Sequence, residues 1–541
     1  MSSVSPTPSS PVSAPPARPR TSHEHRAPAA GTSDGASAQH SAGRRASNFI
    51  LATASGICAL IVLDTNVVAV SLPSIARTFH ASFADVEWVV SAYMVTFASC
   101  LLAAGGLADR IGRKRTLLIG LAVFALASLG CGLAPSVFWL NVARAVKGLG
   151  AAMEITSALA IIGHTFREEK ERARAWALWG MCMGIATTVA PLVGGAITQY
   201  VGWRWIFLMN LPICAVLAWC ASRAMTESKN PEAAAIDKVG SVLFGLALAS
   251  AIWTLIDAGT HGWMRAATFE RAGFSALMFV VFVLAERRSR HAMVDLALFR
   301  DRRFVGAVLA MFGYAACAQV MMTFLPLYLQ NAFGLPAVAA GLGMLPFAIS
   351  MIVGPFIGAA MLRHYSIAWV LIAGLLMIGA GNVAVGSVAQ SGSYVWVALG
   401  MIVCGCGAGI MNGNTQKAIV ALVAPSRMGM ASGISTTTRF TAIVMSVGVL
   451  GGVLSARTTG AFASHVAARP SMADLIDSTF VSRVLAGDAA AAVAQAPESL
   501  HATLTMLARS SFASGFSVSM YVAGAVALVL SFCVWAFAAR K

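Results

Sequence analysis

The chain has 541 residues, 58% of them hydrophobic and only 11% Asp, Glu, Lys or Arg, against about 25% charged in soluble domains. A soluble chain of this length would split into several domains, each needing a charged exterior that so few charges cannot coat, so the composition is that of a membrane protein. The net charge of +16 invites a nucleic-acid reading, which the placement of the basic residues excludes. The ten cysteines fall in apolar stretches, and Cys404 and Cys406 form a CxC pair without partner ligands, so no disulfide framework, metal site or cofactor is expected.

Residues 1–46 are rich in Ser, Pro, Ala and Arg and read as a disordered cytoplasmic tail. Fourteen apolar spans follow, at 48–70, 86–106, 116–135, 138–163, 175–200, 204–222, 239–258, 270–286, 304–327, 337–361, 366–389, 394–416, 428–455 and 514–538, each long enough to cross a hydrocarbon core of about 30 Å. The expected fold is all-α and integral to the membrane. An even number of spans puts both termini on one side. With that side cytoplasmic, 27 Lys and Arg fall in tails and inner loops, 8 in outer loops and 3 in the membrane, which makes the basic residues orientation signals. Residues 457–513, between the last two spans, read as an Ala-rich polar outer loop with room for short helices.

Internal repetition supports a duplication. The first span is followed by Leu72-Pro73 and the ninth ends near Leu325-Pro326; Gly105 precedes Arg110 as Gly358 precedes Arg363. The expected organisation is a six-helix bundle over 47–222, an inserted helix pair with flanking loops over 223–303, and a second six-helix bundle over 304–541, an arrangement suited to a secondary transporter.

An ionisable side chain at mid-membrane costs about 2.5–3.5 kcal/mol on insertion scales and marks function by default. Only Asp64 and Glu154 are acids well inside the spans, whereas Asp85, Glu87, Asp257, Glu270 and Glu286 fall near span ends. The basic residues at depth are Arg144, Lys147 and Arg439, and every histidine lies in a tail or loop, which leaves carboxylates to carry a proton. On the fourth span Arg144, Lys147 and Glu154 share an arc of roughly 80°, a face that cannot meet lipid. Lys147 and Glu154 are about 10 Å apart along the axis, so each is expected to find a partner elsewhere, and Asp64 is the candidate for meeting Arg144 or Lys147. A static ion network that fixes helix packing is the competing reading. Asn66, Lys147 and Asn412 are the candidate substrate-cavity residues.

After the second span comes Gly105-Gly106-Leu107-Ala108-Asp109-Arg110-Ile111-Gly112-Arg113-Lys114-Arg115, glycines for a tight inner turn and a cationic run for cytosolic anchoring. It resembles in full the signature loop of the major facilitator superfamily. Further stretches are similar to the fourteen-helix drug:proton antiporter branch of that family, the EmrB/QacA type: Leu63-Asp64-Thr65-Asn66 through Leu72-Pro73, Trp203-Arg204-Trp205 through Asn210-Leu211-Pro212, Asp295-Leu296 with Leu298-Phe299-Arg300, and Pro326-Leu327-Tyr328-Leu329-Gln330. Two motifs depart from the branch. The fourth-helix Arg-x-x-Gln-Gly is here Arg144-Ala145-Val146-Lys147-Gly148, and an added cation opposes a cationic substrate nearby. The fifth-helix Gly-x-x-x-Gly-Pro-x-x-Gly-Gly is here Ala186-Thr187-Thr188-Val189-Ala190-Pro191-Leu192-Val193-Gly194-Gly195.

The resemblance implies a proton-coupled exporter of small amphiphilic compounds, drugs or toxic metabolites, working by alternating access in the inner (cytoplasmic) membrane. On that reading the coupling proton falls to Asp64 and control of that carboxylate to Arg144, and the depth of Glu154 on the fourth span makes it the candidate for a second proton or a substrate contact. Gly105, Asp109, Arg110, Gly112 and Arg113 form the cytoplasmic gate, and Pro191, Gly194 and Gly195 the antiporter helix. Expected partners are the substrate, protons and the lipid bilayer, with no nucleic acid; a periplasmic adaptor and an outer-membrane channel are candidates for onward passage. Proton-coupled uptake and a non-transporting receptor or scaffold are the alternatives. No GxxxxGK[ST] and no HExxH is present, and the chain is not expected to be an enzyme.

Overall fold

The computed structural model describes residues 33–166, 168–229, 237–289, 294–424, 428–469, 472–473 and 475–539. Fourteen helices among them are long and apolar enough to cross a membrane. They are α1 (Ser47–Phe79), α2 (Phe83–Ile111), α3 (Arg113–Gly132), α4 (Val137–Thr165), α5 (Lys170–Tyr200), α6 (Trp205–Ala224), α7 (Lys238–Gly259), α8 (Ala266–Arg288), α9 (Arg302–Asn331), α10 (Ala337–Met361), α11 (Ile367–Val388), α12 (Tyr394–Ala421), α13 (Met430–Ala468) and α14 (Glu498–Ala538). Every apolar span read from the sequence has its helix.

Two boundaries are corrected. The helix containing α1 begins at Ser33, so residues 33–46, expected in a disordered tail, are helical, and residues 1–32 lie outside the described residues. Extending an existing helix adds one hydrogen bond per residue fixed, and Ala36, Ala38, Ala42 and Ala46 favour it. The loop expected over 457–513 is shorter than its polarity implies: α13 continues to Ala468 and α14 starts at Glu498, and the segment between them holds helices Ser478–Ala486 and Ala489–Val493. Alanine-rich polar sequence extends a helix beyond the bilayer as readily as it makes a loop.

The packing has the expected two-bundle plan. Helix α4 lies against α2 and α3, and α3 against α6; α12 lies against α10 and α11, and α11 against α14, the same pattern in the second bundle. The inserted pair is held by one member. Helix α7 packs on α2 and α13 and so touches both bundles, whereas α8 turns Phe269, Phe274, Leu277, Val280 and Leu284 outward, as a lipid-facing helix does.

Breaks in the helices fall where special backbone is available. Gly112 (φ 119°) turns α2 into α3, Gly413 (φ 80°) interrupts α12, and a π turn over Ala315–Gln319 interrupts α9. At the start of α2, Ser82 and Asp85 form a reciprocal capping box.

Candidate functional site

The interior of the first bundle holds a charged cluster built from three helices. Helix α4 directs Arg144 and Lys147, one turn apart, toward Asp64 of α1. Arg144 Nη1 donates to Asp64 Oδ2 at 3.0 Å, Lys147 Nζ to Oδ1 at 2.5 Å, and Asn210 Nδ2 of α6 to Oδ1 at 2.9 Å. None of these four residues is more than 1% exposed. Arg144 Nε also donates to the Val89 carbonyl of α2 at 2.9 Å. Gly148 lets that contact form, because a Cβ there would stand 3.0 Å from the Phe97 amide nitrogen and push α4 off α2. The cations lie on aromatic rings: the Arg144 guanidinium 4.4 Å from the Tyr93 centroid, and the Lys147 ammonium 4.6 Å from Phe124 and 4.9 Å from Phe207. Charge-assisted bonds and ring faces together offset desolvation that a bare ion would not survive at this depth.

The sequence points to Asp64 meeting Arg144 or Lys147, and it meets both. Lys147, read as a cavity residue, is instead enclosed inside the bundle by its pairing with Asp64 and by the two phenyl rings. Glu154 also differs from expectation. It is fully buried, and neither carboxyl oxygen has a hydrogen-bond partner; Gly120 of α3 makes room for its stem, since a Cβ there would stand 3.1 Å from Glu154 Cγ. Holding a proton spares such a carboxyl the cost of an unpaired buried charge. Asn66 donates to the Val62 carbonyl of its own helix at 2.7 Å, and Asn412 caps the first segment of α12 at the Gly413 break; neither meets the cluster. Asn210, quoted within a motif but given no task, is a ligand of Asp64. An amide in an apolar helix is the signal that identifies it.

The loop after α2 is a second constellation. Arg113 pairs with Asp109 at 3.0 Å and reaches the Ala160 carbonyl of α4. The Lys114 and Arg115 amides, the exposed N-terminus of α3, both donate at 3.1 Å to the carboxylate of Glu227, which follows α6 in sequence. A Cβ on Gly112 would collide with that carboxylate, so this glycine serves both its φ and its neighbour. Arg110 is exposed, and Gly105 is loosely packed, with Thr156 4.0 Å from a Cβ placed on it. Glu227 was not identified from sequence, because an acid in a cationic inner loop reads as solvated. Glu227→Ala is expected to lower stability by about 1–2 kcal/mol through loss of the cap, read as a lower melting temperature of the purified protein.

The third constellation closes the two bundles against each other on the side opposite the start of α1. Gly195 of α5 faces the Ala337 carbonyl of α10, where a Cβ would come within 2.6 Å, and Gly341 of α10 faces the Pro191 carbonyl, where a Cβ would come within 2.5 Å. Gly194 opens α5 to α1, since a Cβ there would come 2.9 Å from the Val67 carbonyl oxygen. The Val338 amide donates to Gln199 Oε1 at 3.1 Å, and Gln330 Nε2 to the Val70 carbonyl at 3.0 Å. Ala186 and Ala190 are buried, Ala190 completely, so their methyl groups fit where the motif usually has glycine. The segment between α13 and α14 reaches the end of α1, where Arg77 donates to the Gly487 carbonyl at 3.2 Å. Beside it burial pushes the Asp488 carboxyl above the ordinary range, and Arg77, Arg483 and His80 pull it back in part. Among the described residues no group of three or more His, Cys, Asp or Glu could hold a metal ion.

A family model described as Major Facilitator Superfamily matches residues 54–449. The multidrug resistance protein Stp of Mycobacterium tuberculosis is 35% identical over 421 residues, 77% of each chain. The methylenomycin A resistance protein of Streptomyces coelicolor is 33% identical over 409 residues, 75% of this chain and 85% of that one. A bacterial homologue of the human lysosomal transporter Spinster, solved in an inward-facing and occupied conformation, shares the fold with a TM-score of 0.62 at 16% identity, over 91% of this chain and 97% of that one. With fourteen membrane-crossing helices in two bundles and a match over most of its length, the chain belongs to the major facilitator superfamily and is a multi-pass membrane transporter, not an enzyme.

Proposed function

We propose that the protein exports small amphiphilic organic compounds, drugs or toxic metabolites, in exchange for protons by alternating access. In this reading both termini are cytoplasmic, the membrane is the inner (cytoplasmic) one, and the seam of α5 and α10 is the outer gate. The names of the curated relatives, a multidrug resistance protein and an antibiotic resistance protein, support the substrate class. The observation that carries the proton half is Asp64, a buried carboxylate gripped by two cations at once.

That grip ties protonation to movement. If Asp64 took a proton while Arg144 and Lys147 stayed in place, two uncompensated cations would share one buried site, which is strongly unfavourable. The proton enters only as α4 draws its cations away from α1, so proton uptake and rearrangement of the first bundle occur together. Arg144, anchored to the Val89 carbonyl, carries that displacement to α2, and α2 touches α7 and α13. The driving force suffices: 100 mV supplies about 2.3 kcal/mol per charge moved, against about 1.4 kcal/mol for a tenfold gradient.

The test is proton release. Adding a transported amphiphile to purified protein in weak buffer with a pH dye is expected to release protons from the wild type and none from Asp64→Asn. Equal release from both would remove Asp64 from the coupling.

A further inference from the structure

Glu87 is an acid near the end of a membrane-crossing helix that the fold nevertheless buries. It lies near a span end, four residues after the first residue of α2 and so about 6 Å from the helix end, yet it is only 4% exposed. Its side chain enters the seam between the bundles instead of the solvent. It lines a cavity with room for about one water, formed by Leu72 of α1, Val90 of α2, Thr323 and Phe324 of α9, and Val447 of α13. Gly451 of α13 makes the room, since a Cβ there would overlap Glu87 Oε1. Oε1 has no hydrogen-bond partner.

The four helices around Glu87 bring no titratable or charged group to it among the described residues. The neighbouring acid on its own helix, Asp85, is turned away and held by the Ser82 amide and hydroxyl at 3.0 and 2.7 Å. An ionised Glu87 would therefore sit between two apolar bundle faces with no counter-charge, a cost that the neutral acid avoids. Parting the seam would expose it to the solvent on that side, only about a helical turn away.

We propose that Glu87 is a second proton-binding site of the transport cycle, loaded from the outer side, and that the outer seam closes only once Glu87 has taken its proton. The inference rests on the alternating-access reading above but not on its cargo. Closure then takes up one proton in addition to any bound near Asp64. The sign follows: low pH favours the closed seam, and rising pH ionises Glu87 in the open state and favours opening.

The experiment uses the full chain in nanodiscs without substrate. Spin labels at Tyr200 and Val395, both exposed at the outer ends of α5 and α12, report the ratio of closed to open seam by distance measurement from pH 5 to 8.5. In the wild type the ratio is expected to fall as pH rises. In Glu87→Gln, which keeps the shape of the neutral acid, the slope is expected to drop by about one proton, a loss of up to tenfold per pH unit, with the seam remaining closed at high pH. Glu87→Met, neutral and of similar size, should behave alike and guards against an assembly defect in the first variant. A wild-type slope in either properly assembled variant overturns the proposal. Because no substrate is added, failure of the export reading would appear separately, as an absence of flux with this titration intact.

Discussion

Asp64→Asn is expected to abolish proton-driven transport, lowering the coupled rate by at least about 100-fold, and to destabilise the protein. Both effects come from one arrangement. The carboxylate accepts from Arg144, Lys147 and Asn210, and an amide leaves two buried cations without an anion, for which removal of one partner of a buried pair typically costs about 3–5 kcal/mol. Stability alone would not separate a coupling residue from a static clamp. The double variant Asp64→Asn with Lys147→Gln does, since it withdraws one of the stranded cations along with the anion. The expected result is partial recovery of the melting temperature with no recovery of proton-driven flux. Recovery of flux as well would mean that the cluster only holds helices together.

Gly341→Val is expected to eliminate transport with little loss of stability. A Cβ at that position stands 2.5 Å from the Pro191 carbonyl oxygen and 3.0 Å from its carbon, both backbone atoms that cannot swing aside, so α5 and α10 would be unable to seal. The protein would then remain out of the state described here, open at the outer seam and blocked in its cycle. Gly184→Ala on the same α5 is the matched control: its nearest neighbour, Ile352 Cγ1, lies 3.7 Å away, ordinary contact, and transport should stay within about twofold of wild type. Flux and labelling of cysteines placed at the seam read both. A silent Gly341→Val would mean that this contact is not remade in each cycle.

The fold was largely legible because the bilayer restricts the choices: long apolar runs must be helices, and their count and spacing carry the architecture. The errors came where that constraint ends. At 33–46 and beyond 457 the sequence is polar enough to be a loop and alanine-rich enough to be a helix, and hydropathy does not decide between them. The site was legible at the level of charge. Asp64 was the acid on another helix that Arg144 and Lys147 could meet, since Glu154 lies on their own helix and two turns along it. What the charges could not give was enclosure. Lys147 faces Asp64 and not a cavity because Phe124 and Phe207 close around it, a property of α3 and α6 that is not visible in the α4 motif. The burial of Glu87 was not legible for a related reason: its nearness to the end of α2 is visible in the sequence, but the cover that α9 and α13 of the other bundle give it is not.

The central claim is exchange of substrate for protons through the first bundle, and flux in proteoliposomes under an imposed pH gradient tests it most directly. With wild-type protein and a panel of cationic, neutral and anionic amphiphiles, the account predicts that substrate moves against the proton flow, and that a proton flow of opposite direction reverses it. Substrate accumulating together with the proton, or flux indifferent to the gradient, would contradict it.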